Sequence, residues 1–327
     1  MDGVLIVDKP AGMTSHDVVA QVRRTLHERR IGHTGTLDPF ATGVLAILVG
    51  RATRLAQFLS GLEKEYEAVI RLGYATDTGD VTGKRIDRAG AGAESASAPG
   101  SAPAAGPTWS KEQIEAELAS LRGEIDQVPP MYSAKKQGGR RLYELARRGE
   151  EVERKPVRVC IYKFEAISVA GNPAGELLKD NRDGTFDFAV RVACSAGTYI
   201  RTLAEDFGKR LGVGAHLAEL RRTRVGEFGI EGALTLERLK LHYAEESLGA
   251  ILYTADDALR HLPSVDLNGD QVSRVINGSD VQIPAAAWSD GERIRLRNEQ
   301  GQLIAVAEYK AAAKALHPSV VIAQAGQ

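Results

Sequence analysis

The stretch GHTGTLDPFATG, residues 32–43, holds three glycines, three threonines, one proline, His33 and a single carboxylate, Asp38. This composition is expected to form neither a regular helix nor a strand. Asp38 precedes Pro39, which biases it away from helical backbone, and by itself an Asp-Pro pair reads as a turn former. The stretch is anchored, however, between an amphipathic segment before it and the buried-strand pattern VLAILVG after it. A polar loop held on a rigid scaffold is where side chains do chemistry. On these residues alone Asp38 is either a turn former or a functional carboxylate.

Other chemistries lack their residues. The seven histidines are scattered, with no HxxxH or CxxC spacing for a metal. No GxxxxGK[ST] or GxGxxG segment is present to cradle a nucleotide's phosphates. The segment ACSAG, 193–197, approximates the nucleophile elbow G-x-S-x-G between a strand and a helix. Its first glycine is alanine, and no HGGG-like oxyanion segment precedes it. Ser195 and Gly197 are equally explained as a tight strand-to-helix turn. Cys160 and Cys194 sit in apolar, strand-like surroundings and read as buried reduced thiols.

The elements that must position Asp38 follow from periodicity. GVLIVDK reads as a strand ending in a Pro/Gly turn. From Ser15, taken as an N-cap, Val18, Val19, Val22 and Leu26 repeat at helical spacing. RATRLAQFLSGL reads as a helix, KEYEAVIRLGYAT as an alternating strand, and SKEQIEAELASL as a helix with a Ser110–Gln113 capping box. FDFAVRVAC predicts a strand, TYIRTLAEDFGKRLG a helix, and AHLAELRRTRV a strand carrying Arg221, Arg222 and Arg224. After a short helix at TLERLKL, the pattern shifts near residue 247 to short strands, which suggests a small β-barrel module. Residues 89–108 are Ala/Gly/Ser/Pro-rich and cannot build a core, so they read as a surface insertion.

The 327 residues allow about two domains of ordinary globular composition, with a net charge of −1. Overall charge therefore announces no nucleic-acid partner, and any basic surface must be local. Residues 129–158 supply one: nine Lys/Arg stand against four glutamates, with Tyr132 and Tyr143 interleaved. Such a run serves either as a solvated helix face or as a phosphate-contacting arm. The N-terminus lacks the basic start and long apolar run of a signal peptide, and no apolar run reaches the ~18 residues of a membrane span. A cytoplasmic location is expected.

Taken together, DKPAGMTSHDVV, GHTGTLDPFATGVLAILVGRATR, KEYEAVIRLGYATDTGD, PPMYSAKKQGGRRLYELARRG and CSAGTYIRTLAEDFGKRLGVGAHLAELRRTRVGEF resemble the TruB family of tRNA pseudouridine synthases, in order, through most of residues 1–240. The tail resembles the PUA domain of bacterial members. The resemblance implies an α+β fold: a mixed, mainly antiparallel sheet flanked by helices, with a basic thumb-like insertion and a small C-terminal PUA-like β-barrel. It divides the chain into a catalytic domain at 1–246, with excursions at 89–108 and 129–158, and an RNA-binding domain at 247–327. The implied reaction isomerises uridine 55 in the T loop of tRNA without a cofactor or metal.

By the same resemblance Asp38 falls on the family's catalytic aspartate and Arg201 on the arginine that keeps it ionised. Tyr66 falls on the tyrosine that stacks on the uracil and assists proton movement at C5. Tyr199 and Leu220 match pocket-lining residues, and His33 matches the histidine that fills the gap left by the flipped base. Asp80 is a candidate for shaping the site. Arg54 stands where many relatives have lysine. Lys135, Lys136, Arg140 and Arg141 belong to the insertion that closes over the T arm. The polar stretch 171–184 is expected to be a surface excursion.

The resemblance further implies a monomer that needs no protein partner or membrane. Two alternatives stand beside the cofactor-independent isomerase. One is a tRNA-folding helper whose modification activity is incidental. The other is a guide-RNA-dependent relative, against which the chain's own basic insertion and short tail argue.

Overall fold

The computed structural model describes residues 1–86, 109–133, 152–168, 176–283 and 287–323, and between them positions 136, 137, 140–142, 145, 148 and 150. The 89–108 insertion, Lys135 and residues 171–175 lie outside the described residues, as do the side chains of Lys136 and Arg141.

A ten-stranded sheet forms the large body. Its spine runs Gly3–Lys9, Thr42–Val49, Ala215–Val225, Lys64–Leu72, Phe186–Cys194, Val157–Ala166 and Gly123–Gln127. Neighbouring spine strands run antiparallel, except where Thr42–Val49 meets Ala215–Val225 in parallel. That junction is only two pairs long, Arg221↔Thr42 and Arg222↔Gly43. It needs a glycine: Gly43 has φ +102°, and a Cβ there would lie 2.1 Å from the Arg222 carbonyl oxygen. The junction brings the loop of Asp38 against the strand that carries Leu220 and Arg222.

Helices back this sheet, two of them next to the cleft residues. Ser15–Leu26 turns Val18, Val19, Val22 and Leu26 onto Leu5, Leu45 and Ile47. Its N-cap is Thr14, in a capping box with Asp17, one residue before the Ser15 predicted. Ser15 is instead buried and bonded to the backbone of the Asp38 loop at Leu37. Ile200–Arg210 packs Phe207 against Phe188, stacked with ring centroids 5.3 Å apart. The capping box at Ser110–Gln113 forms as the sequence predicts. RATRLAQFLSGL is less regular than its periodicity suggests: a 3₁₀ segment, Gly50–Leu55, runs into a single α-turn, Ala56–Leu59.

Residues 32–43 also differ from the expectation. Gly32–Thr34 belong to a strand, Ile31–Thr34, paired with Ala46–Val49, and Thr42 opens the next strand. The true loop is Gly35–Ala41.

A second sheet of five strands occupies Ser264–Val321 in the order Ser264–Asp266, Arg293–Arg297, Leu303–Lys310, Ala315–Val321, Val281–Gln282. Leu303, Val306, Val320 and Ile322 share a core with Val4, Ile6, Leu48 and Val225 of the large body. The whole is a mixed α+β fold. No helix among the described residues is long and apolar enough to cross a membrane.

Candidate active site

Backbone contacts fix the loop before any side chain acts. Gly35 turns it with φ +66°. The Leu37 N–H donates to Ser15 Oγ at 2.9 Å, the Gly12 N–H to the Pro39 carbonyl at 2.8 Å, and the Ala41 N–H to the Asp38 carbonyl at 3.1 Å. Beneath the loop, Lys9 is wholly buried and its ammonium donates to the carbonyls of Pro10, Met13 and Pro39 at 2.8, 2.7 and 3.2 Å. Burial lowers the Lys9 pKa to about 8, with Asp38 acting in the opposite direction.

Asp38 emerges from this frame at the floor of a cleft of about 260 Å³, its side chain 34% exposed. Arg201, 5% exposed, clasps both of its oxygens: Nε lies 3.0 Å from Oδ2, and Nη2 donates to Oδ1 at 3.2 Å. The same guanidinium donates to the carbonyls of Thr78 at 2.9 Å and Tyr132 at 2.6 Å. Its Nη1 also faces Asp80 Oδ2 at 3.5 Å. Asp80 is buried, and its Oδ1 accepts from the Thr78 hydroxyl and the Thr82 N–H, so it is both a turn former and a second acid at the guanidinium. Burial pushes the Asp38 carboxyl above the ordinary carboxylate range. Arg201 and Lys9 oppose that push, and Asp80 adds to it.

Tyr66 stands on the neighbouring strand, 8% exposed, in register with Val192 on one side and Arg222 on the other. Burial raises its phenol above the ordinary value, and Arg222 opposes this. Tyr199, Leu220 and Tyr66 line the same cleft as Asp38 and Arg201. Tyr199 is held at the head of its helix by Gln127, which is buried: its Oε1 accepts from the Tyr199 N–H at 3.0 Å and its Nε2 donates to the Tyr199 carbonyl at 3.3 Å. Nothing in the sequence singles out Gln127, a polar residue ending an otherwise unremarked strand.

The remaining candidates lie elsewhere. His33 does not line the cleft; it meets His16 edge to face at 5.3 Å, and burial holds its pKa down at about 4, so it is neutral at pH 7. Arg54 is exposed and donates to the Val321 carbonyl, which ties it to the C-terminal sheet. Arg140 is exposed on a short hairpin in which Lys136–Gln137 pair with Arg140–Arg141. Ser195 lines the cleft, but its hydroxyl accepts from the Cys160 N–H at 2.9 Å. Its part is the strand-to-helix turn. Among the described residues no group of three or more His, Cys, Asp or Glu is arranged to hold a metal.

A carboxylate clasped by arginine, beside a buried tyrosine in a small cleft, suits attack at, or proton removal near, a sugar carbon under a stacked base. Comparisons with known proteins identify the family. Residues 23–200 match the model described as "TruB family pseudouridylate synthase (N terminal domain)", and residues 201–260 match "tRNA pseudouridylate synthase B C-terminal domain". The chain is 46% identical over 285 residues to tRNA pseudouridine synthase B of Geobacillus kaustophilus, covering 87% of this chain and 92% of that one. It is 40% identical over 330 residues to tRNA pseudouridine synthase B of Solibacter usitatus, covering 98% and 100%. Among solved structures, that of a Cbf5–Nop10–Gar1 complex superposes with a TM-score of 0.71 at 27% identity, covering 98% of this chain and 85% of that one. The chain belongs to the TruB family of pseudouridylate synthases.

Proposed function

We propose that this chain converts uridine 55 in the T loop of tRNA to pseudouridine, with Asp38 as the reacting carboxylate and no cofactor. The observation that carries this is the two-point clasp of Asp38 by Arg201 at the floor of the cleft that Tyr66 lines. The target uridine is flipped out of the folded loop at a cost of a few kcal/mol. Stacking on Tyr66 returns about 1–3 kcal/mol. The bond between C1′ and N1 breaks, with Asp38 bonding to C1′ or taking a proton from C2′. The uracil turns and C5 bonds to C1′, as the Asp38–C1′ bond breaks or Asp38 returns the proton to C2′; the C5 proton then leaves with the help of Tyr66, and N1 takes up a proton. Atoms are conserved and nothing is oxidised.

The basic segment 129–158 acts as a thumb that grips phosphates without reading sequence. The Tyr132 carbonyl accepts from Arg201, so the segment's N-terminal end touches the partner of Asp38, a contact that supports this reading. Residues 1–246 form the catalytic unit. The five-stranded sheet within 247–327 acts as a PUA-like module that adds contact area on the tRNA. The protein works as a monomer in the cytoplasm, with no guide RNA and without protein partners such as the Nop10 and Gar1 of the Cbf5 complex.

Purified protein incubated with unmodified tRNA and a metal chelator, with no nucleotide or accessory RNA, tests the reading. Pseudouridine mapped at position 55 is the expected outcome. Tight binding of the tRNA without any product would favour the folding-helper reading instead.

A further inference from the structure

Two further buried cations line the cleft, and the chemistry so far leaves them without a part. Lys64 is 6% exposed and Arg222 is 1% exposed. Lys64 is two residues before Tyr66 on the same strand and face, and Arg222 is its cross-strand neighbour. The Lys64 ammonium donates to the carbonyls of Ser60, at 2.8 Å, and Leu62. Arg222 donates from Nε to the Val44 carbonyl at 2.7 Å and from Nη2 to the Gly35 carbonyl at 2.8 Å. Neither forms a salt bridge to a carboxylate among the described residues. Buried charges are ordinarily paired with an opposite charge.

The two side chains also converge. A Cβ on Gly35 would lie 3.3 Å from Arg222 Nη1 and 3.7 Å from Lys64 Cε, so both cations sit behind the turn of the catalytic loop. An ammonium has three donors and a guanidinium five. The bonds named above leave one on Lys64 and three on Arg222, one of which meets the Tyr66 phenol. With Arg201 paired to Asp38 and Asp80, the unbalanced charge of this pocket is positive, and it lies beside the ring of Tyr66.

The proposed reaction, on which this inference rests, generates a matching negative charge. When the C1′–N1 bond breaks, its electron pair leaves with N1, and the detached uracil is an anion spread over N1 and its two carbonyl oxygens. We propose that Lys64, backed by Arg222, stabilises this uracil anion while the base is detached and turning. Fixed charges aimed at charge that develops only along the reaction lower the barrier without tightening ground-state binding. Lys64 also faces Cys194, a buried thiol whose pKa is pushed up to about 11, so that thiol is neutral at working pH and does not quench the cation. Burial and the neighbouring Arg222 lower the Lys64 pKa to about 8. Its charge is therefore present at pH 7 and is lost as pH rises through 8.

Lys64→Met is close in volume and removes a buried charge, so the fold should persist; thermal unfolding checks this. Single-turnover conversion of tRNA should fall about 10²–10³-fold, the usual loss for one oxyanion donor, with the Kd for tRNA changed less than threefold. Lys64→Arg should recover at least tenfold of that loss, and the wild-type decline in rate above pH 8 should be absent from it. A folded Lys64→Met variant with a rate within threefold of wild type would overturn the proposal, as would an equal loss in Kd and rate. A wild-type protein that makes no pseudouridine would instead sink the underlying reaction.

Discussion

Arg201→Met removes the guanidinium from its two-point contact with Asp38 at 3.0 and 3.2 Å. A hydrogen bond to a charged group contributes about 1.5–3 kcal/mol. Asp38 is a third open to the cleft, so solvent screening favours the lower half of that range for the pair. Losing about 1.5–2.25 kcal/mol of stabilisation of the ionised form raises the Asp38 pKa. The sign follows from the site. Burial and Asp80 already raise this carboxyl, and Arg201 is the largest opposing influence, so its removal can only raise the value further. Lys9 remains, but it is spent on three carbonyls. The ionised fraction near neutrality then falls, and the contacts to the Thr78 and Tyr132 carbonyls vanish as well. Single-turnover rates measured from pH 5 to 9 should show the acid limb displaced upward, with the plateau lowered at least about 10²-fold. Arg201→Lys should shift the limb less. An acid limb that stays in place in a folded, tRNA-binding Arg201→Met variant would refute the claim that this arginine keeps the acid ionised.

Three further outcomes follow from the same geometry. Gly43→Ala places a Cβ 2.1 Å from the Arg222 carbonyl at φ +102°, and should cost about 2–4 kcal/mol in urea unfolding, an exceptional loss for one methyl. Ser195→Ala should lose only the bond to the Cys160 N–H, about 1 kcal/mol of stability, and keep pseudouridine formation within tenfold of wild type; abolished chemistry would revive a nucleophilic serine. His33 is neutral in the fold, with a pKa of about 4 against about 6.5 in the unfolded chain, so the unfolded state takes up more protons and stability falls as pH drops from 6.5 towards 4. His33→Gln should flatten that fall, read as the difference in Tm between pH 7.5 and 5.

Most of the architecture was legible because its periodicities are strong. The alternation of KEYEAVIRL becomes a strand whose odd positions are buried, and the Ser110–Gln113 box caps its helix as written. That alternation also held an unread signal. Lys64 shares its phase with Tyr66, Ala68, Ile70 and Leu72, so it had to face inward. Lysine and arginine are so rarely buried that Lys9, Lys64 and Arg222 pass in sequence for solvated charges. The meeting of Asp38 with Arg201, across 163 residues, has no local signature and came only from the resemblance. Gln127 was invisible for the same reason: its value lies in gripping the backbone of Tyr199, 72 residues away. The run 32–43 misled at its ends, where pairing to a buried strand overrode the poor strand propensity of Gly32 and Gly43.

The most direct measurement is pseudouridine mapping at position 55 of tRNA treated with wild-type and Asp38→Asn protein, alongside tRNA affinity for both. Asn fills the same space and leaves the loop's backbone bonds in place. The account predicts product from wild type, none from Asp38→Asn, and comparable Kd values. Pseudouridine formed by Asp38→Asn at a substantial fraction of the wild-type rate would contradict it.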